Sequence, residues 1–463
     1  MIEIKELSFR YEGAVNSSLN NVELRVEKGE FIVLTGASGC GKTTLTRILN
    51  GLCPQFYGGE VSGSYLLEGE NAFSLTLSDI GLKIGNVFQD PRSQFYTRNT
   101  TDEILTSMEH RNFPRETMTE RVQEICDVLQ LDALLDRDIF QLSSGEKQKI
   151  AIASACVTKP EIVVLDEPSA NLDGIGTKQL CELLYILKAQ GVTIIVSEHR
   201  LHYLQDLFDK MVVMEEGQIK EVYSNAEANQ LTSEQLIQMG LRLIQLPQEF
   251  TSTVSQESDH SLELCNLSFA RQKEVIFTNI SAKIPQGKIT VVTGENGSGK
   301  TTLCKILCGL LKENQGEIKK EQRVFKKRER IKKCFFIGQD ADYQLFCPTV
   351  WEEVLLNIKK NSEIELLATQ MLEQLNLLEL KDRHPVSLSG GQKQRVLLLA
   401  GILRKRNILI LDEPTSGLDG KHMRIIAEIL QDFSKHHQIT ILVITHDIEF
   451  GNMIADEVLY MEK

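Results

Sequence analysis

Long uncharged apolar stretches are absent from this sequence, because charged residues interrupt every apolar run well before the length that crosses a bilayer. The run 396–403, for example, lies between Arg395 and Arg404. Residues 1–6 also lack the basic and then apolar pattern of a secretory signal. We therefore expect a chain that does not itself span the membrane and that works in the cytoplasm.

Closely spaced cysteine pairs are lacking as well. The ten cysteines include no C-x-x-C pair, so neither a zinc ribbon nor an iron–sulfur cluster is indicated, and reduced, buried thiols are expected.

Basic residues are outnumbered, with 51 Lys and Arg against 64 Asp and Glu, and the net charge of -13 argues against a general nucleic-acid binder.

One segment departs from this acidic average. Residues 319–333 contain nine Lys or Arg among fifteen. Such a run is usually a solvated face, and the alternative is attraction to anionic lipid headgroups.

The chain is an internal duplication. The sequence EIKELSF at 3–9 returns as ELCNLSF at 263–269, and later landmarks return in the same order at offsets of 246 to 258. At 463 residues the chain is too long for one ordinary core, and we predict domains at 1–220 and 262–463. The segment 221–261, with one basic and six acidic residues, is the predicted linker, and part of it, around 234–243, has helical spacing.

Within each half, short apolar runs alternate with helical patterns, which favours an α/β fold with a largely parallel sheet covered by helices. Ligands then belong at the carboxyl ends of the strands.

A phosphate-binding loop follows an apolar strand in each half. The sequences GASGCGKT at 36–43 and GENGSGKT at 294–301 both fit G-x-x-x-x-G-K-[ST]. Glycines let several backbone N–H groups point at one phosphate chain, and the following helix adds the positive end of its dipole. The predicted ATP-binding residues are Gly36, Ser38, Gly39, Gly41, Lys42, Thr43 and Thr44 in one half, and Gly294, Asn296, Gly297, Gly299, Lys300, Thr301 and Thr302 in the other.

A carboxylate pair ends a second apolar strand in each half. The runs 162–165 and 408–411 are both followed by Asp-Glu-Pro. We expect Asp166 and Asp412 to hold Mg²⁺ together with the hydroxyls of Thr43 and Thr301, while Glu167 and Glu413 orient the attacking water.

One further β-rich run per half ends at a histidine. His199 and His446 follow the Asp-Glu strand with matching placement, which indicates a role near the outer phosphate.

Between the phosphate loop and the Asp-Glu strand lie LSSGE at 142–146 and LSGGQ at 388–392. The second of these resembles the signature sequence of ABC ATPases, and Gln89, Gln339 and the two histidines extend the resemblance over both halves. The resemblance implies tandem P-loop NTPase domains, each with a mainly parallel sheet, an antiparallel β part and a helical subdomain. It also implies that the two halves form an ATP sandwich within the chain, in which each ATP meets a phosphate loop and the opposite signature. The further residues implied are Ser143, Gly145, Ser389, Gly390, Gly391 and Gln392 for ATP, Gln89 and Gln339 for Mg²⁺, and Tyr11 for the adenine.

The segments after the loop glutamines, VFQDPRSQFY at 87–96 and IGQDADYQLF at 337–346, resemble the ATPases of energy-coupling factor (ECF) importers. That resemblance implies a motor for uptake of a vitamin, metal ion or other micronutrient, bound at the cytoplasmic face of the membrane. Its partners would be a transmembrane subunit, docked on 94–96 and 344–346, and through it a substrate-binding membrane protein. Core packing is the alternative reading of the aromatics.

Two other functions are compatible with twin cassettes. A soluble factor acting on ribosomes or nucleic acid usually has a long basic connection, whereas 221–261 is acidic. A sugar importer ATPase would have a degraded second half, and this one is intact. The halves do differ, since Arg271 stands where the first half has Tyr11, and Glu198-His199-Arg200 stands where the second has Thr445-His446-Asp447.

Overall fold

A computed structural model describes most of the chain, namely residues 1–170, 172–247, 249–250, 262–271, 274–338, 341–359, 361–404 and 406–461. The chain divides into two compact units, Met1–Gln245 with Asp419–Lys421, and Leu246–Leu418 with His422–Lys463. Of the segment 221–261 that the sequence assigns to a linker, residues up to Gln245 belong to the first unit, and 251–261 lie outside the described residues.

The first unit alternates strands and helices. Its strands are β1 Ile2–Tyr11, β2 Leu19–Val26, β3 Phe31–Gly36, β4 Gly59–Leu67, β5 Glu70–Asn71, β6 Ile84–Val87, β7 Ile162–Asp166, β8 Thr193–Ser197, β9 Lys210–Glu215 and β10 Gln218–Ser224. Its helices are α1 Lys42–Leu49, α2 Leu52–Gln55, α3 Leu77–Lys83, α4 Thr100–Glu109, α5 Arg115–Leu129, α6 Ser144–Cys156, α7 Gly174–Ala189, α8 Asn225–Ala228 and α9 Ser233–Gln238.

Two sheets organise this unit. The larger has the order β10-β9-β3-β8-β7-β6, parallel except for β10, and the smaller is antiparallel in the order β2-β1-β4-β5. The central strands β3, β7 and β8 are buried along their whole length, as continuous apolar runs predict. Parallel pairing brings the carboxyl ends of β3 and β7 to one edge, where the predicted ATP residues follow.

The second unit repeats the plan. Its strands are β11 Leu262–Arg271, β12 Glu274–Ile284, β13 Ile289–Gly294, β14 Gln315–Lys320, β15 Arg323–Val324, β16 Cys334–Ile337, β17 Ile408–Asp412, β18 Thr440–Ile444 and β19 Glu457–Met461. Its helices are α10 Lys300–Leu307, α11 Lys327–Lys333, α12 Val350–Val354, α13 Ser362–Gln374, α14 Gly390–Leu403, α15 Gly420–His437 and α16 Ile448–Ile454. The sheet β16-β17-β18-β13-β19 is parallel, and β12-β11-β14-β15 is antiparallel.

Each unit has two apolar cores, one on either face of its parallel sheet. In the first unit, Val33 and Val163 face the helices α4 to α7, whereas Ile32 and Val164 face α1 and the antiparallel sheet. Over the described parts of the chain, no helix is both long enough and apolar enough to span a bilayer.

Candidate nucleotide and hydrolysis sites

The first phosphate loop joins β3 to α1 and depends on glycine. Gly36 has φ 146°, and a Cβ there would lie 2.1 Å from the carbonyl oxygen of Met214. Gly41, with φ 106°, precedes the first helical residue, so the amide groups at the start of α1 face the loop. Lys42 is buried, and its Nζ donates to the carbonyl oxygens of Gly36 at 2.9 Å and Ala37 at 3.2 Å. These carbonyls hold the ammonium group inside the loop that would receive the phosphates.

The second phosphate loop has the same construction. Gly294 has φ 141°, and a Cβ there would lie 2.1 Å from the carbonyl oxygen of Met461. The Nζ of Lys300 donates to the carbonyl oxygens of Gly294 and Glu295, both at 2.7 Å. The other predicted loop residues, Ser38, Gly39, Asn296, Gly297 and Gly299, lie within these two turns.

A hydroxyl and a carboxylate meet at each predicted Mg²⁺ site. Thr43 Oγ1 lies 3.4 Å from Asp166 Oδ1, and Thr301 Oγ1 lies 2.8 Å from Asp412 Oδ2. Burial raises the pKa of Asp166 to about 6, with the neighbouring Glu167 adding to the shift, and burial also raises the pKa of Asp412. Buried carboxylates of this kind are stabilised by a cation, and two oxygen donors suit Mg²⁺. The residues present therefore fit Mg²⁺, the ion that the sequence predicts at these positions.

The glutamates that follow these aspartates turn away from their strands. Glu167 and Glu413 have φ values of 44° and 50°, and their backbone N–H groups donate to the carbonyl oxygens of Ser197 and Ile444. A left-handed backbone is uncommon for a residue with a side chain. Its occurrence at both positions sets the two carboxylates at the ends of β7 and β17.

In the first unit, two predicted residues contact Glu167. Gln89 Nε2 donates to Glu167 Oε2 at 2.8 Å, and His199 Nε2 lies 3.2 Å from Glu167 Oε1. Burial alone would raise the pKa of Glu167, but attraction to His199 and their hydrogen bond hold that pKa below its ordinary value. The structure thus brings Gln89, Glu167 and His199 together.

In the second unit, His446 Nε2 lies 3.9 Å from Glu413 Oε1. The backbone N–H of His446 and the hydroxyl of Thr445 donate to the same carboxylate, both at 3.2 Å. Gln339 lies outside the described residues.

The two signature sequences begin helices α6 and α14. Ser143 and Ser389 are the N-caps, and in both helices the side chain three residues later, Glu146 or Gln392, accepts from the serine N–H in a capping box. The carboxylate of Glu146 also accepts the hydroxyl proton of Ser143 at 2.8 Å. A Cβ at Gly390 would meet nothing within 4 Å, so packing inside the second unit does not explain why glycine stands at this position, where the first half has Ser144.

Tyr11 ends β1 beside the first phosphate loop. Its hydroxyl lies 3.3 Å from Thr44 Oγ1 and accepts from Arg47 Nη1 at 3.2 Å, so it contacts the helix that starts at the loop. The corresponding Arg271 ends β11 and is exposed.

Sequence reasoning missed two buried glutamates that fix the segments after the loop glutamines. Glu103 accepts from the backbone N–H groups of Tyr96 at 2.9 Å and Thr97 at 2.8 Å, and Glu353 accepts from Phe346 at 2.7 Å and Cys347 at 2.8 Å. Glu353 follows Glu103 by 250 residues, the same offset that separates Phe346 from Tyr96, and this repeat was the signal that could have found them.

These glutamates leave the aromatic rings outside. Tyr96 is 82% exposed and Phe346 is 77% exposed, whereas Phe95 and Leu345 pack against the unit cores. Core packing therefore accounts for Phe95 and Leu345 but not for the two exposed rings.

The ABC transporter family model matches residues 19–170 and 277–416, which cover most of both units. This chain belongs to the ABC transporter ATP-binding family, and it is an ATPase with two fused cassettes. Among its relatives is a Treponema denticola protein provisionally named an ABC transporter ATP-binding protein, which is 40% identical over 469 residues and aligns 100% of this chain with 95% of its own length.

A second relative is a Bacillus subtilis protein provisionally named the HMP/thiamine import ATP-binding protein YkoD. It is 31% identical over 492 residues, and the match spans 100% of this chain and 90% of the relative. Among solved structures, the archaeal ribosome recycling factor aABCE1, in complex with the stalk protein aP1, matches with a TM-score of 0.65 and 23% identity over 98% of this chain and 87% of that one. At that identity, the likeness is one of fold.

Proposed function

We propose that this chain is the ATP-hydrolysing motor of a membrane importer of the energy-coupling factor type, bound to the cytoplasmic face of the membrane. The observation that carries the proposal is the pair of exposed aromatic residues, Tyr96 and Phe346, each held outward just after a loop glutamine position. The import function in the name of the Bacillus subtilis relative supports the same direction.

In this proposal each half supplies a phosphate loop, the Mg²⁺ residues and the glutamate for one ATP. The loop amides and Lys42 or Lys300 bind the phosphates, because oriented N–H groups and an ammonium group complement their charge. Thr43 with Asp166, and Thr301 with Asp412, are the residues that would hold Mg²⁺, which supplies neutralisation of phosphate charge when bound.

The water-activating step falls to the glutamates. Glu167 and Glu413 accept a proton from the attacking water, and His199 and His446 orient those carboxylates from the adjacent strands. Gln89 donates to the carboxylate of Glu167, and it lies on the segment that also carries Tyr96. A shift of the docked partner at Tyr96 would therefore move a residue that contacts the catalytic glutamate, which is a direct route for coupling.

The docking proposal is tested by co-purification in mild detergent. We expect the variant Tyr96→Glu/Phe346→Glu to lose its integral membrane partner while its ATP binding is retained, because both rings are exposed and a charge there does not enter a core. Tyr185→Glu is the matched control, since Tyr185 is an exposed ring, 64% accessible, on α7.

Retention of the membrane partner by the double variant, or its loss in the control as well, would contradict the docking assignment. Co-sedimentation of the unmodified chain with ribosomes, without a membrane partner, would favour the alternative of a soluble twin-cassette factor.

A further inference from the structure

The basic segment 319–333 forms one surface of the second unit. It comprises the end of β14, the strand β15 and the helix α11. Phe325 and Arg330 are buried, and Arg330 pairs with Glu313 at 2.7 Å, so these two residues anchor the segment and do not belong to its surface. Six exposed cations remain without a carboxylate in ion-pair range among the described residues: Arg323, Lys326, Lys327, Arg328, Lys332 and Lys333. We name this set the basic face.

Apolar side chains are exposed within the same surface. Val324 and Ile331 are each 50% exposed, and Leu310 is 54% exposed. A Cβ at Gly309 would lie 3.1 Å from Ile331 Cγ1, so the turn that carries Leu310 is packed directly against α11. Cations surrounding half-exposed aliphatic groups are the combination that suits the interface of a bilayer.

The matched segment of the first unit, 69–83, shows that the fold does not require these charges. Its one basic residue, Lys83, pairs with Glu68 at 2.8 Å and Glu70 at 3.3 Å. Where the second unit buries Arg330, the first buries Ile80. The basic face is therefore an addition to one half, on a chain whose net charge is -13.

We propose that the basic face binds the surface of an anionic lipid bilayer. Its charge complements lipid phosphate groups, and Ile331, Val324 and Leu310 can enter the boundary between headgroups and acyl chains. RNA fits less well, because Phe325, the aromatic residue of the segment, is buried and offers no ring for base stacking. This surface shares no residue with the docking segments at Tyr96 and Phe346, and the proposal does not depend on them.

Flotation of the full chain with protein-free vesicles tests this contact. We expect binding to phosphatidylcholine vesicles that contain phosphatidylglycerol, decreasing as salt rises, and no binding to phosphatidylcholine alone. Each basic residue near an anionic surface contributes roughly fivefold to partitioning, so the variant Lys326→Gln/Lys327→Gln/Arg328→Gln should lose about 100-fold.

The control removes the same number of charges elsewhere. Lys178→Gln/Lys381→Gln/Lys435→Gln changes three exposed lysines outside the basic face and should float like the unmodified chain. Equal losses in both variants, equal binding to neutral vesicles, or no binding to anionic vesicles would overturn the proposal. So would tighter binding of the unmodified chain to RNA that is lost in the basic-face variant.

Discussion

The two halves hold the loop that carries the predicted histidine in opposite ways. In the first half the carboxylate of Glu198, one residue before His199, accepts from the backbone N–H groups of Ser169, His199 and Arg200 and from the hydroxyl of Tyr203, at 2.7 to 3.1 Å. In the second half the carboxylate is at Asp447, one residue after His446.

Asp447 uses different partners for the same purpose. It accepts from the hydroxyl of Thr415 at 3.0 Å and from the backbone N–H of Phe450 at 3.2 Å. The second bond makes Asp447 the N-cap of α16. Thr445, at the place of Glu198, bonds to Glu413 instead. One buried carboxylate per loop is thus present in both halves, and in each half it bonds to the residue three positions after the strand aspartate, Ser169 or Thr415. The halves therefore differ by one coupled change: Glu198 stands where the second half has Thr445, and Arg200 stands where it has Asp447.

The largest expected effect comes from removing the glutamate that both halves place directly after the Mg²⁺ aspartate. The variant Glu167→Gln/Glu413→Gln should lower ATP hydrolysis by about 10² to 10⁴-fold, because glutamine cannot accept the proton of the attacking water. Nucleotide binding, measured by equilibrium titration, should remain.

The control variant also changes one glutamate in each half, at matching positions. Glu182 and Glu428 are exposed residues at matching positions of α7 and α15, and Glu182→Gln/Glu428→Gln should hydrolyse ATP like the unmodified chain. Normal hydrolysis in the Glu167/Glu413 variant would show that neither carboxylate activates water.

A smaller effect is expected from converting one histidine loop into the other. Glu198→Thr should lower the free energy of unfolding of the first half by roughly 2 to 3 kcal/mol, because buried N–H groups lose their acceptor. Adding Arg200→Asp should recover most of that loss and the associated loss of hydrolysis, since it supplies a carboxylate at the position that Asp447 occupies.

Thermal unfolding and ATPase assays of the single and double variants check this loop exchange. Arg200→Asp alone, which would set a second carboxylate beside Glu198, is the matched comparison and should be destabilising. If the double variant is no better than Glu198→Thr, the two positions are not one coupled change.

Much of the shared site could be predicted because its chemistry depends on spacing along the chain. The glycine loops, the Thr–Asp pairs and the glutamates after β7 and β17 follow local patterns that repeat in both halves. The tie between Glu198 and Ser169 could not be predicted, because it joins loops at the ends of two different strands. Similarly, the sequence pointed to 94–96 and 344–346 for docking but could not show that Phe95 and Leu345 pack against the cores while Tyr96 and Phe346 are exposed.

We predict that the two halves hydrolyse ATP at unequal rates. The most direct test compares Glu167→Gln with Glu413→Gln as single variants, measuring ATP hydrolysis of the full chain. Glu167 has His199 at 3.2 Å and Tyr11 beside its phosphate loop, whereas Glu413 has His446 at 3.9 Å and an exposed Arg271 at the matching end of β11. We expect the first half to supply more of the turnover, so Glu167→Gln should be the more severe variant while Glu413→Gln leaves substantial activity. Equal losses, or a greater loss in Glu413→Gln, would contradict the inequality and mean that these differences do not affect hydrolysis.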